Sequence, residues 1–133
     1  MTSSKSMAEP KSLYDQIGGA AVAAAITEFY RRAFTDGIIG HFFFGHDQED
    51  ITGKQIDFAT ALLGGPRRYK GKPLEQAHSQ LAIGQPHFGR RQVLMAEVLT
   101  EMGLEPKLKD AWLSLEEGLR PHIMRGLRPR PKA

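Results

Sequence analysis

Apolar residues recur at helical spacing through most of the chain. Val22, Ile26, Phe29 and Ala33 lie three or four positions apart, which predicts a long helix from about Ala20 to Phe34. Its alanine-rich start favours that state, and Asp36-Gly37 stops it. A second stripe runs through Ile51, Gln55, Phe58, Ala59 and Leu62. Asp47 precedes it as a natural cap, Glu49 and Asp50 suit the positive end of a helix, and Gly64-Gly65-Pro66 closes it. Phe88, Met95, Val98, Leu99 and Met102 predict a third helix, opened by Pro86 and closed by Gly103. A fourth begins near Glu105-Pro106 and carries Leu108, Ala111, Trp112, Leu115 and Leu119, with Pro121 limiting its end. Two shorter pieces complete the pattern: one helical turn from Ser12 to Gln16, ended by Gly18-Gly19, and a short helix from Pro73 to about Leu81, with Gly84 beyond it. Ile38 to Phe44 is too short for periodicity to separate helix from extended chain. No strand-like alternation bounded by hairpin turns occurs, and no internal repeat. The expected class is all-α, with five or six helices and short connections.

Composition narrows what such a bundle can do. With 133 residues the chain fits one domain, and 41% apolar against 25% charged residues is the balance of a globular protein. No run approaches the roughly 18 apolar residues of a membrane span. The first twelve residues, MTSSKSMAEPKS, lack the apolar run of a secretory signal, so a cytoplasmic location is expected. The absence of cysteine excludes disulfides, thiol catalysis and cysteine-ligated metals. The net charge of +3 is concentrated at one end, where Arg120, Arg125, Arg128, Arg130 and Lys132 occur without an acid. A basic stretch punctuated by proline and lacking any base-reading motif is expected to be a solvated tail, not a nucleic-acid surface. The expected organisation is a leader over 1–10, a domain over 11–124 and a tail over 125–133.

Candidate chemistry lies in a few polar residues on apolar faces. None of the five histidines forms a paired metal motif. His78 falls between Leu74 and Leu81 at i−4 and i+3, a setting in which its ring nitrogens need partners. A core hydrogen bond would serve. So would a metal whose other ligands are not protein, as in haem, whose iron needs one axial imidazole. Gln55 interrupts an apolar stripe and also demands partners. Tyr30 and Gln55 either satisfy each other or stand ready for a small polar ligand. Phe42, Phe43 and Phe44 offer flat apolar surface, to the core or to a porphyrin.

Taken in order, these segments carry a family likeness. LYDQIGG at 13–19, FYRRAF at 29–34, HFF at 41–43, GKQIDF at 53–58, ALLGGPRRYKG at 61–71, EQAH at 75–78 and HF at 87–88 resemble the group I truncated haemoglobins. The likeness extends from Leu13 to about Leu119. It implies a two-over-two helical sandwich, a shortened globin, holding one haem b between its layers. It also implies a role for each matching residue. His78 would be the iron ligand, and Tyr30 and Gln55 the distal pair that stabilises a bound ligand. Phe43 would pack on the porphyrin, and Lys54 would reach a propionate with Tyr69 near the same edge. Leu74, Ala77, Ile83 and Phe88 would line the proximal side, with Phe58 also at the cofactor. Ile51 stands where many globins place a distal histidine, and it cannot bind iron.

The sequence departs from the family pattern in places. Ala59 replaces a phenylalanine that lines an apolar ligand route in some members, so a gate there is expected to be absent or more open. Arg91 occupies a usually apolar position, one turn after Phe88, where either solvent or a propionate could receive it. His46 and His122 do not match positions used elsewhere for a second ligand or a haem cross-link. The implied function is reversible binding of oxygen, with carbon monoxide and nitric oxide as further ligands. Conversion of nitric oxide to nitrate would need a separate reductase, because no flavin or nicotinamide fingerprint is present. Two other readings are a small helical adaptor without cofactor and a haem-based gas sensor.

Overall fold

In a computed structural model, residues 11–67 and 81–124 are described. Among them there is no strand; every regular element is a helix. Helix α1, Leu13–Ile17, starts at Ser12, whose Oγ accepts the Asp15 N–H at 3.0 Å. Gly18, at φ 97°, turns the chain into α2, Gly19–Ala33, in a conformation that glycine adopts without a Cβ clash. Helix α2 buries Val22, Ala25, Ile26, Phe29, Tyr30 and Ala33. The Asp36 carboxylate then accepts the N–H groups of Ile38 and Ile39 at 3.0 and 3.1 Å. The ambiguous aromatic segment follows as a single 3-10 turn, Gly40–Phe43.

Helix α3, Gln48–Leu62, is capped by Asp47, whose side chain accepts the Glu49 N–H at 3.3 Å. Helix α4, Gln85–Glu101, opens where the His87 Nδ1 accepts the Gly84 N–H at 2.8 Å. Helix α5 is Pro106–Glu117 and α6 is Arg120–Ile123. The short helix expected from Pro73 falls, apart from Leu81, outside the described residues, as do the leader and the tail.

Helix α2 packs on both α3 and α4, α4 packs on α5, and α1 braces α2 and α5. The core between them is built on Val22, Phe29, Leu63, Met95, Val98, Leu99 and Trp112. Three expected core residues lie outside it: Ala111 is exposed, and Met102 and Leu115 are each 41% exposed. Met102 caps α4 after its last buried turn. On α5 the buried line runs from Trp112 to Glu116, four residues on, which leaves Leu115 and Ala111 facing outward. Two ion pairs join the α2 end to α4: Arg32 Nη2 lies 2.6 Å from Glu101 Oε1, and Arg90 Nη2 lies 2.8 Å from Asp36 Oδ1. Hydrogen bonds from Arg31 and Arg32 hold the Glu28 carboxyl down at about 2.

Tyr14 ties the first helix to the end of the third. Its N–H donates to the Leu63 carbonyl at 2.8 Å, and its ring lies against Gly65. A Cβ at Gly65 would stand 2.8 Å from that ring and 2.9 Å from Thr60 Cγ2. Gly65→Ala is therefore expected to cost about 1–3 kcal/mol by overpacking. Urea denaturation measures this, and an unchanged midpoint would mean that the ring moves aside freely.

Candidate functional site

Five helices line a partly open cavity. Helix α2 contributes Ile26 and Tyr30, and α3 contributes Gln55, Phe58, Ala59 and Leu62. Phe88 and Arg91 come from α4, Glu116 from α5, and Leu119 and Ile123 from the last turns. The helical periods explain this convergence. Residues 26 and 30 are one turn apart on α2, and residues 55, 58, 59 and 62 share one face of α3. The walls are apolar except for Tyr30, Gln55, Arg91 and Glu116.

Four of the residues expected at the site from the sequence thus meet in one space: Tyr30, Gln55, Phe58 and Phe88. Tyr30 is 8% exposed, and its ring meets Phe29 edge-on at 4.8 Å and Phe43 edge-on at 5.8 Å. Phe43 in turn stacks on Phe34 at 4.7 Å. Gln55 is half-buried, and no hydrogen bond joins its amide to the Tyr30 hydroxyl. Ile51 packs on the core beside the cavity without lining it, and Ile83 is buried. Lys54 lies on the outer face of α3, 60% exposed and 3.2 Å from Asp50. His78, Tyr69, Leu74 and Ala77 lie outside the described residues.

Arg91 meets a partner that the sequence did not suggest. Its guanidinium pairs with Glu116, Nη1 to Oε1 at 2.7 Å and Nη2 to Oε2 at 3.2 Å, and it lies 4.9 Å over the Phe29 ring. The Glu116 side chain is 4% exposed, and its second oxygen accepts the Trp112 Nε1–H at 2.9 Å. Burial works against the charge on Arg91. The Glu116 carboxylate and its hydrogen bond outweigh that cost, and Tyr30 adds to the same effect, so the guanidinium is held above its ordinary range. Sequence reasoning missed Glu116. The signal was there: 112, 116 and 119 share a face of one helix, and 88, 91, 95 and 98 share a face of another. Each apolar stripe thus contains one charge, of opposite sign.

Comparisons with known proteins decide the family. The bacterial-like globin family matches residues 12–125. A group 1 truncated haemoglobin from Mycolicibacterium paratuberculosis is 37% identical over 90% of this chain and 88% of its own. The chain belongs to this globin family, among the group 1 truncated haemoglobins. A ferric truncated haemoglobin from Tetrahymena pyriformis superposes with a TM-score of 0.82 at 31% identity, covering 86% of this chain and 98% of that one. A truncated oxygen-avid haemoglobin from Bacillus subtilis superposes with a TM-score of 0.76 at 25% identity, over 85% and 98% of the two chains.

The globin's all-helical fold is the two-over-two sandwich of these structures, and its cofactor is haem. The cavity fits that group: it has apolar walls for a flat macrocycle, with a phenol and an amide converging on one side. Family membership sets aside the cofactor-free adaptor. No helix among the described residues is long and apolar enough to cross a membrane.

Proposed function

We propose that this globin binds oxygen reversibly at a haem b held in the cavity, with carbon monoxide and nitric oxide as alternative ligands. The observation that carries this reading is the convergence of Tyr30 and Gln55 on one apolar space. The oxygen-avid relative from Bacillus subtilis adds support. Haem supplies a ferrous iron that takes a diatomic ligand and moves electron density onto oxygen far more than onto carbon monoxide.

The chain's own residues then discriminate. His78 would hold the haem iron through its imidazole. The Tyr30 O–H donates to the negative end of the ligand, and Gln55 orients that hydroxyl. Phe58 and Phe88 exclude water, which strengthens any hydrogen bond made inside. Phe43, braced by Phe34, borders the macrocycle together with Ile51 and Ile83. Lys54 is exposed enough to swing from Asp50 to a propionate near Tyr69. Leu74 and Ala77 accompany His78 on the proximal side. With a separate reductase supplying one electron, nitric oxide and oxygen combine in this cavity to give nitrate, and the protein needs no further catalytic side chain. The location in this reading is cytoplasmic.

An absorption spectrum tests the haem assignment. A Soret band that responds to dithionite and carbon monoxide is expected, and its absence after haem addition would overturn the reading. Tyr30→Phe tests the discrimination. It keeps the ring and removes only the donor. A hydrogen bond to a charged acceptor is worth about 1.5–3 kcal/mol, and each 1.4 kcal/mol is about tenfold in an equilibrium. The oxygen off-rate should therefore rise about tenfold or more, while the carbon monoxide off-rate barely moves. Gln55→Leu should do less, and the double variant should fall short of additivity. An unchanged oxygen off-rate in Tyr30→Phe would remove Tyr30 from this role.

A further inference from the structure

The cavity contains one feature that reversible ligand binding does not explain: a fully formed ion pair in its wall. Arg91 and Glu116 come from different helices and contact each other through both arms of the guanidinium. A buried pair of this kind contributes little stability beyond what apolar residues of equal volume would give. Trp112 and Phe29 fix it on two sides. The Phe29 ring under the guanidinium is the same ring that meets Tyr30 edge-on. Phe29 thus touches both the cation and the phenol from behind, and Arg91 and Tyr30 both line the cavity.

We propose that Arg91, locked by Glu116, is a positioning residue for Tyr30 whose fixed charge makes the phenol a stronger hydrogen-bond donor to a ligand in the cavity. A nearby cation stabilises a phenolate and thereby strengthens the O–H as a donor. By the same reciprocity the Tyr30 oxygen favours the charged form of Arg91, after the larger effect of Glu116. The charged groups around Tyr30 are few among the described residues. Helix α4 presents Arg91, α5 presents Glu116, and α3 presents only the neutral Gln55. On its own helix Arg31 and Arg32 are turned to Glu28 and Glu101, and Glu117 is engaged by Arg120 at 3.0 Å. The 3-10 turn contributes the neutral Phe43, and its His41 ring packs on Phe42 and His87. Arg91 and Glu116 therefore act on the phenol with opposite signs.

This inference rests on Tyr30 being the ligand's donor only in its last step. The acidity of the phenol is measurable without it. The ferrous carbon monoxide form of the full-length protein is labelled with carbon-13 at tyrosine Cζ and titrated with base, with Tyr30→Phe assigning the signal and Tyr14 as internal reference. Arg91→Met should raise the Tyr30 midpoint by about one pH unit, tenfold in ionisation constant. Arg91→Lys should restore most of it. Glu116→Gln, which keeps an acceptor for Trp112 and removes the negative charge, should lower it. Shifts of opposite sign are what a structural role cannot produce. Midpoints that stay put, or that move the same way in Arg91→Met and Glu116→Gln, overturn the proposal. Should Arg91→Met fail to fold, Glu116→Gln alone still decides it, because an unchanged or raised midpoint there is enough to reject it.

The oxygen off-rate separates this inference from the functional reading. If Tyr30→Phe releases oxygen faster while the charge variants leave the phenol unmoved, only the role of Arg91 falls. If the phenol responds to both charges while Tyr30→Phe leaves the off-rate unchanged, only the donor assignment falls.

Discussion

Glu116→Ala is expected to lower the unfolding free energy by about 3–5 kcal/mol, the cost of stranding one partner of a buried ion pair. The carboxylate is 4% exposed and serves two donors, so its loss leaves the Arg91 charge with only the neutral Gln92 amide oxygen and the Phe29 ring, and the Trp112 N–H without an acceptor. The tryptophan term alone is about 1–3 kcal/mol. Replacing both charges, as in Arg91→Met with Glu116→Gln, should cost far less than Glu116→Ala, because no charge is then left unpaired and the amide oxygen can still accept from Trp112. Urea denaturation of the haem-loaded forms at equal haem saturation makes the comparison fair, since bound cofactor adds its own stabilisation. A loss below about 1 kcal/mol in Glu116→Ala would show that water reaches Arg91 and replaces its partner.

His78→Ala is expected to abolish stable haem retention. In this reading the His78 imidazole would be the protein's one bond to the iron, and the other histidines are poorly placed to replace it. His41, His46 and His122 are exposed, and the Nδ1 of His87 is committed to the Gly84 N–H. None of these four lines the cavity. The Soret band should be lost on gel filtration, and added imidazole should restore part of it. A variant that keeps a five-coordinate ferrous spectrum would move the iron ligand elsewhere.

Local pattern carried most of the helix assignments. The apolar repeat through Val22, Ile26, Phe29 and Ala33 placed a helix within a residue of its observed ends. Asp47 and Pro86 marked two starts, the second one residue late, because helix initiation is a local problem of capping and backbone angle. The segment from Ile38 to Phe44 was not legible, because a single 3-10 turn has no period to read. Tyr30 and Gln55 were legible as polar residues on apolar faces, and the structure brings both to the cavity. Arg91 and Glu116 are 25 positions apart, so neither charge explains the other until the helices are packed. The same nonlocal packing left Leu115 outside, since α5 turns Glu116 inward in its place.

The ion pairs between α2 and α4 constrain how this molecule can deform. Arg32 with Glu101 and Asp36 with Arg90 pin the crossing at two separate points. The Arg32–Glu101 pair is partly exposed and worth at most about 1 kcal/mol, whereas the Asp36 carboxylate of the other pair is only 7% exposed. A rigid body held at two points cannot pivot at one without pulling the other apart. Tyr30 and Arg91 sit on these two pinned helices, so their spacing is preserved through any swing of the remaining wall. Among the described residues α3 has only its internal pair, Lys54 with Asp50, and no ion pair to a neighbour. The donor and its cation therefore keep station relative to each other, while α3 is held by its packing on α2 and by the bond from the Tyr14 N–H to the Leu63 carbonyl at its end.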